Sequence, residues 1–358
     1  MSLGRFQIRD FRSIDAAELE FDPRCNLISG PNASGKTSLL EAIYFLGRGR
    51  SFRTPRNDAL IRTGAHDLLV TGRVEAESGR PTAVGIRYGR DGFEVRAGGD
   101  SLHGLAELAT VWPVQAIDPE VHQLVEQGPA ERRRYLDWGV FHVEPVFVSE
   151  WRRYQRALKQ RNAALRAQAS ESEVRAWDPE LLSAGESLAE RRRHYFRRLQ
   201  PAVATVGEQL LGAAVELSLH DGWPQGESFA EALARSWARD VERGSTQAGP
   251  HRADLTIRVG GLPARHRVSR GQQKLTAASM LIGQLRCDHA QGSPTAALLV
   301  DDPAAELDFA HLERLVDLLV ALPGQLFVTS LDPASRSLAR LSEPRRFHVE
   351  RGQITRLL

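Results

Sequence analysis

Cys25-Asn26-Leu27-Ile28-Ser29-Gly30-Pro31-Asn32-Ala33-Ser34-Gly35-Lys36-Thr37-Ser38 is the stretch that decides the fold. A short apolar run enters a loop whose spacing satisfies G-x-x-x-x-G-K-[ST], and Leu39, Leu40, Ile43, Tyr44 and Leu46 then continue with helical spacing. Strand, glycine loop and helix in that order make a phosphate cradle. Backbone N–H groups of residues 30–38 wrap an anion at the positive end of the helix. Lys36 would reach the β- and γ-phosphates of a nucleoside triphosphate, and the Thr37 hydroxyl would bind Mg²⁺. Lysine here is informative because only three of the 47 Lys and Arg residues are lysine: Lys36, Lys159 and Lys274.

A phosphate cradle of this kind calls for an acid at the end of a second strand. Ala296 to Val300 is an apolar run ending in Asp301-Asp302. Asp301 is placed to hold Mg²⁺ through water, and Asp302 to orient or deprotonate the attacking water. A third element, Val268-Ser269-Arg270-Gly271-Gln272-Gln273, opens a helix expected over 271–287. A hydroxyl and bare N–H groups at a helix start suit a second phosphate contact or a plain N-cap. In the order phosphate loop, Ser269–Gln273, Asp301-Asp302 and Asp308, the set resembles the ABC ATPase superfamily, with Ser269–Gln273 as its signature motif and Asp308 in its D-loop.

Within that superfamily the chain resembles the RecF family of bacterial recombinational-repair ATPases, which have an SMC-type head. The segments that carry this likeness are Gly49-Arg50-Ser51-Phe52-Arg53-Thr54, Gly128-Pro129, Arg132-Arg133-Arg134-Tyr135-Leu136-Asp137-Trp138-Gly139, Leu158-Lys159-Gln160-Arg161-Asn162 and Gly249-Pro250-His251-Arg252. Ala33 departs from the usual loop glycine and Ala305 from the usual D-loop serine. Asp302 stands where transporter-type ATPases have glutamate, a feature that the RecF family shares. Thr329 or Ser330 replaces the switch histidine. The resemblance implies that Gln115 is a Q-loop glutamine contacting Mg²⁺ and the attacking water, and that Arg12 lies near the nucleotide. It also implies ATP-dependent homodimers, with Ser269–Gln273 of one copy covering ATP in the other, and slow hydrolysis acting as a switch. Duplex DNA beside single-strand gaps, RecO and RecR are the implied partners. Alternatives of other classes are a transporter's nucleotide-binding subunit and an ATPase that controls an effector.

The rest of the 358 residues fits this frame. Net charge is +2, with 42% apolar and 26% charged residues, which excludes a disordered tail protein and a uniformly basic coat. No apolar run reaches membrane length and no leader is visible. Cys25 and Cys287 cannot form a disulfide framework, so a cytoplasmic protein is expected. Alternation predicts strands at 3–9 and 17–21, a meander at 67–76, 82–88 and 92–97 with turns at Ser78-Gly79 and Asp91-Gly92, and a short apolar piece at 111–117. Residues 132–211 read as helical in two legs of at most about 30 residues each, broken near 170–178. Residues 151–200 carry 12 basic and 6 acidic side chains, concentrating positive charge. Arg132–Arg134, Arg191–Arg193, Arg197 and Arg198 are the candidate DNA contacts or, equally, solvated or ion-paired faces. Strand 254–259, strand 296–300, helix 308–321, strand 325–329 and helix 333–341 complete an α/β head with a mainly parallel sheet. The expected domains are a discontinuous head at 1–125 and 250–358, and a helical lobe at 126–249.

Overall fold

Alternation at the N-terminus folds as a hairpin of β1 (Ser2–Phe11) and β2 (Ile14–Glu20), whose Leu3, Phe6, Ile8, Phe11 and Leu19 point into the core. The computed structural model describes residues 1–76, 79–102, 104–305, 307–332, 338–341 and 343–357. Next come β3 (Cys25–Ser29), α1 (Lys36–Arg48), and the meander β4 (Asp67–Glu75), β5 (Thr82–Gly89), β6 (Gly92–Ala97) and β7 (Asp100–Ser101). Ser78, of the expected turn, lies outside the described residues. Helix α2 (Leu105–Val111) and strand β8 (Val114–Ile117) follow.

The middle is α3 (Gln123–Glu126), α4 (Pro129–Val143), α5 (Phe147–Arg166), α6 (Glu171–Arg175), α7 (Asp178–Leu211), β9 (Val215–His220), α8 (Phe229–Arg235), α9 (Trp237–Arg243), β10 (Asp254–Val259), β11 (Leu262–Pro263), α10 (Ala264–Arg267) and α11 (Arg270–Ala290). The chain closes with β12 (Ala297–Val300), α12 (Phe309–Val320), β13 (Leu326–Ser330), β14 (Arg345–Glu350) and β15 (Gln353–Leu357). The helix expected at 333–341 falls mostly outside the described residues, and Leu338–Arg340 is a single 3₁₀ turn.

Contacts divide the chain into two units, Met1–Val121 with Pro294–Leu358, and His122–Ser293. The first holds two six-stranded sheets, one in the order β2-β1-β4-β5-β6-β7 and one in the order β15-β14-β3-β13-β12-β8. The former is antiparallel throughout, whereas the latter is parallel except for β15. In the second sheet the carboxyl ends of β3, β13 and β12 open side by side, the place where such sheets bind ligands.

The second unit departs from the expected 126–249. It runs on to Ser293 because β10 pairs with β9, and because α11 packs on α4 and α7. Tyr135 donates to Met280 O at 2.8 Å and Tyr195 to Asp288 Oδ1 at 2.6 Å. The legs are α5 and α7, and α7 has 34 residues rather than the expected limit of 30. Pro201 does not end it, since buried Leu199, Val203, Val206 and Leu210 carry one apolar face across the proline.

Two buried titratable groups in this unit oppose each other. His251 Nε2 donates to Thr246 O at 2.9 Å, so Nδ1 accepts from the Tyr154 hydroxyl at 2.6 Å. Burial pushes this imidazole from 6.5 down to about 4. His251 therefore contributes stability that is present above pH 6.5 and lost as pH falls toward 4. Burial pushes Asp288 from 3.8 up to about 7, against the pull of the Tyr195 hydroxyl. Its contribution is present below 3.8 and lost as pH rises through 7. Between these limits the two groups act in opposite directions. Asp288→Asn is expected to uncover the His251 dependence as acid destabilisation in urea unfolding from pH 7 to 4. A variant whose profile parallels the wild type refutes the offset.

Candidate functional site

Phosphate-loop residues Asn32 to Ser38 line a cavity of about 770 Å³, which they share with Arg12, Ser13, Arg53, Ala59, Ile61, Thr63, Pro119, Asp301, Asp302 and Ala305. Gly30 opens the loop with φ 153°, and a Cβ there would meet Val349 O at 2.1 Å, so only glycine fits. Ala33 has φ 59°, the left-handed region, which explains why glycine is usual at this position. Helix α1 starts at Gly35 with no side-chain cap, leaving its first-turn N–H groups for a ligand. Lys36 is buried and its Nζ donates to Gly30 O at 2.7 Å and Pro31 O at 2.9 Å. Burial lowers the pKa of its ammonium, and Asp302 and Asp301 oppose that shift.

Two elements separated by 264 residues meet here. The Thr37 hydroxyl bonds Asp301 at 2.9 Å to Oδ2 and 3.2 Å to Oδ1. A hydroxyl and a carboxylate in contact are hard oxygen donors that fit Mg²⁺. Thr329, at the end of β13, donates to Asp301 Oδ1 at 2.6 Å and accepts from Asp302 N at 2.8 Å, so one hydroxyl fixes both acids. Asp302 adopts φ 43° at this turn, a strained conformation held by its neighbours.

Gln115 departs from its expected place. It lies inside β8, buried and in register with Leu298, two residues before the strand ends, and it is not among the residues lining the cavity. Pro119 reaches the cavity on that flank instead. Arg12 does line it, with φ 54°, and its guanidinium bonds Glu41 at 2.8 and 2.9 Å and Ala59 O at 2.9 Å. Arg53 and Thr63, which line the cavity, and Glu41, buried behind it as the partner of Arg12, were not picked out from the sequence as site residues. The quoted segment 49–54 was the available signal for Arg53, whereas nothing local marks Glu41 as Arg12's partner.

The second unit presents Ser269, Arg270, Gly271 and Gln272 on its surface at the start of α11. Ser269 caps the helix reciprocally: its hydroxyl accepts from Gln272 N at 3.3 Å, and its N–H donates to Gln272 Oε1 at 3.0 Å. Gln273 is instead buried, donating to Arg265 O at 3.1 Å and Ala264 O at 3.3 Å. Asp308, in the first unit, is the N-cap of α12, accepting from His311 N at 2.9 Å, and that N–H lowers its carboxyl pKa.

Most of the arginines expected to face DNA are bound within the protein. Arg132 forks onto Asp254 at 2.7 and 3.1 Å, and Arg192 onto Asp137 at 2.7 and 2.9 Å, both guanidinium groups buried. Arg133 donates to Ala253 O, Arg191 to Glu144, Arg193 to Asp221, Arg134 to Glu131 and Arg198 to Gln291. Arg197 bonds only weakly, at 3.4 Å to His194 Nδ1. Among the described residues, no group of three or more His, Cys, Asp or Glu is placed to hold a metal, and no helix is long and apolar enough to cross a membrane.

Residues 2–352 match the RecF/RecN/SMC N terminal domain. The DNA replication and repair protein RecF of Shewanella baltica strain OS185 is 41% identical over 358 residues, covering 99% of each chain, and that of Shewanella frigidimarina is 39% identical over the same span. A solved structure of the recombination mediator protein RecF with ATP superposes with a TM-score of 0.88 at 25% identity, covering 100% of this chain and 98% of the other. An Smc head bound to the C-terminal winged-helix domain of ScpA gives 0.62 at 15% identity, a likeness of fold. The chain thus belongs to the RecF/RecN/SMC N-terminal domain family, as a RecF-type ATPase head.

Proposed function

We propose that this chain is a DNA replication and repair protein that binds ATP with Mg²⁺ and uses it as a dimerisation switch. The observation that carries the reading is the contact of Thr37 with Asp301, which brings the phosphate loop and the strand-end acids to one cavity. In it the α1 N-terminus and Lys36 bind the triphosphate, Thr37 and Asp301 hold Mg²⁺, and Asp302 aligns water against the γ-phosphate. Mg²⁺ supplies charge neutralisation of the β- and γ-oxygens when bound. Asp302 is one methylene shorter than glutamate, which suits slow turnover.

The chain has one phosphate loop and one exposed signature. A second copy would supply Ser269–Gln272 to the first copy's γ-phosphate and receive the same in return, giving an isologous pair. Loss of the γ-phosphate removes the shared charge and releases the pair. The relatives' name supports DNA as a partner and the RecFOR pathway of the solved neighbours supports RecO and RecR; duplex beside a gap is the form of DNA that the family resemblance implies. The sequence carries no base-reading motif, so binding would follow duplex shape and backbone rather than base sequence, through cations other than the arginines engaged internally.

Ser269→Asp separates cap from signature. Aspartate caps as well as serine, so stability is expected to hold, but its charge opposes a shared triphosphate. Light scattering with saturating ATP and Mg²⁺ should find wild type dimeric and the variant monomeric, with ATP affinity of the single copy unchanged. A variant that dimerises like wild type, or a wild type that stays single with and without gapped DNA, ends this reading.

A further inference from the structure

Helix α1 buries a carboxylate that binding of phosphates does not require. Glu41 is 0% exposed and sits among apolar residues five positions after Lys36. A buried charge is retained only with close partners, and here they come from two other chain segments. Arg12 forks onto both oxygens from the tip of the β1–β2 hairpin. From the segment after α1, Ser51 donates its hydroxyl to Oε1 and Arg53 Nη1 stands 3.7 Å from Oε2. Ser51 Oγ in turn accepts from Arg53 N at 2.8 Å and Thr54 N at 3.1 Å, fixing the backbone that carries Arg53.

A simple staple between hairpin and helix would need one arginine. The second is half exposed, beyond hydrogen-bonding distance of the carboxylate, and lines the same cavity as Lys36. One carboxylate facing two guanidinium groups leaves an uncompensated positive charge at the wall. Arg12 also holds Ala59 O, so the segment carrying Arg53, Ala59, Ile61 and Thr63 is tied down through Glu41 at both ends. Residues 32–38 and Asp301 account for the phosphate end of the cavity. The rest of the lining includes apolar surface from Ala59 and Ile61, the Thr63 hydroxyl and the planar Arg53 cation, which together suit a base and its sugar.

We propose that Glu41 is a positioning residue that holds Arg12 and Arg53 as the nucleoside wall of the cavity. This rests on the proposed ATP-binding reading. The test is calorimetric titration of the full chain with Mg²⁺-ATP and, separately, Mg²⁺-tripolyphosphate, for wild type, Glu41→Gln and Arg53→Gln. Arg53 is half exposed, so Arg53→Gln is expected to keep the wild-type melting temperature and remains informative should Glu41→Gln fail to fold. Both variants are expected to weaken ATP by roughly 5- to 30-fold, the size of a lost guanidinium–ring contact. Tripolyphosphate affinity should stay within about twofold, because Lys36 and the α1 N-terminus are untouched. Equal losses for both ligands would mean that Glu41 serves only the phosphate loop, and an Arg53→Gln variant that binds ATP like wild type would mean a plain staple; either result overturns the proposal. A wild type that binds neither ligand defeats the ATP reading itself, and this inference with it.

Discussion

Lys36→Arg is expected to weaken nucleotide binding nearly as much as Lys36→Ala even though it keeps the charge. The Lys36 ammonium is seated between Gly30 O and Pro31 O at 2.7 and 2.9 Å in a buried cradle. An ammonium is a compact point charge, whereas a guanidinium is a planar fork with a different reach. A fork seated at two carbonyls spaced for an ammonium is expected to displace the loop. Lys36→Ala loses charge-assisted contacts to two phosphates, about 3–4 kcal/mol or roughly 100- to 1000-fold in Kd. Lys36→Arg should fall within about tenfold of Lys36→Ala when fluorescent ATP analogue binding is titrated. Wild-type affinity in Lys36→Arg would show that charge alone is read. In a chain whose other basic residues are almost all arginine, a lysine at this spot is what the cradle's size demands.

Arg161→Met should unfold the second unit more readily than any substitution in the ATP cavity. Arg161 is 0% exposed and donates to Asp178 Oδ1 at 2.7 Å, Asp240 Oδ2 at 2.8 Å and Thr246 Oγ1 at 2.8 Å. Asp240 is itself fully buried, and its other oxygen accepts from Gln247 N at 2.9 Å. Asn162 secures the same loop by accepting from Thr246 N and Oγ1 at 2.8 Å. Removing the cation strands the Asp240 carboxylate, a loss of about 3–5 kcal/mol. Urea unfolding followed by tryptophan fluorescence measures it, since Trp237 lies 6.0 Å from the guanidinium. Adding Asp240→Leu should restore part of the loss, because a pair removed together costs far less than one partner removed alone. A single variant within about 1 kcal/mol of wild type would show that the network carries little stability.

The strand–loop–helix of the phosphate-loop pattern, the acids at a strand end and the helix start at Ser269 were legible because each is written in consecutive residues. Thr37, Asp301 and Ser269 could be named without knowing the fold. The arginines were not legible, because a run such as Arg191–Arg193 looks alike whether it faces solvent or carboxylates. The partners of Arg132 and Arg192 are Asp254, 122 residues away, and Asp137, 55 residues away. Gln115 was placed by likeness alone; it lies inside β8 and is not among the residues that line the cavity. Residues 250–293 alternate strand and helix like the head, yet pairing of β10 with β9 assigns them to the other unit. Local pattern gives elements, and pairing across distance gives allegiance.

The strand order of the mainly parallel sheet governs when its strands can pair during synthesis. β3 and β8 leave the ribosome early, but they are not neighbours, and every strand that pairs with either of them lies beyond residue 296. About 180 residues separate β8 from β12. At roughly 5–20 residues per second, the nascent chain carries two orphan strands for some 10–35 s while the intervening unit is made. Aggregation-prone edges stay open for that interval, so a chaperone that shelters the first 120 residues should raise the soluble yield. A chain stopped just short of β12 would lack the whole nucleotide sheet while its helical unit stands folded.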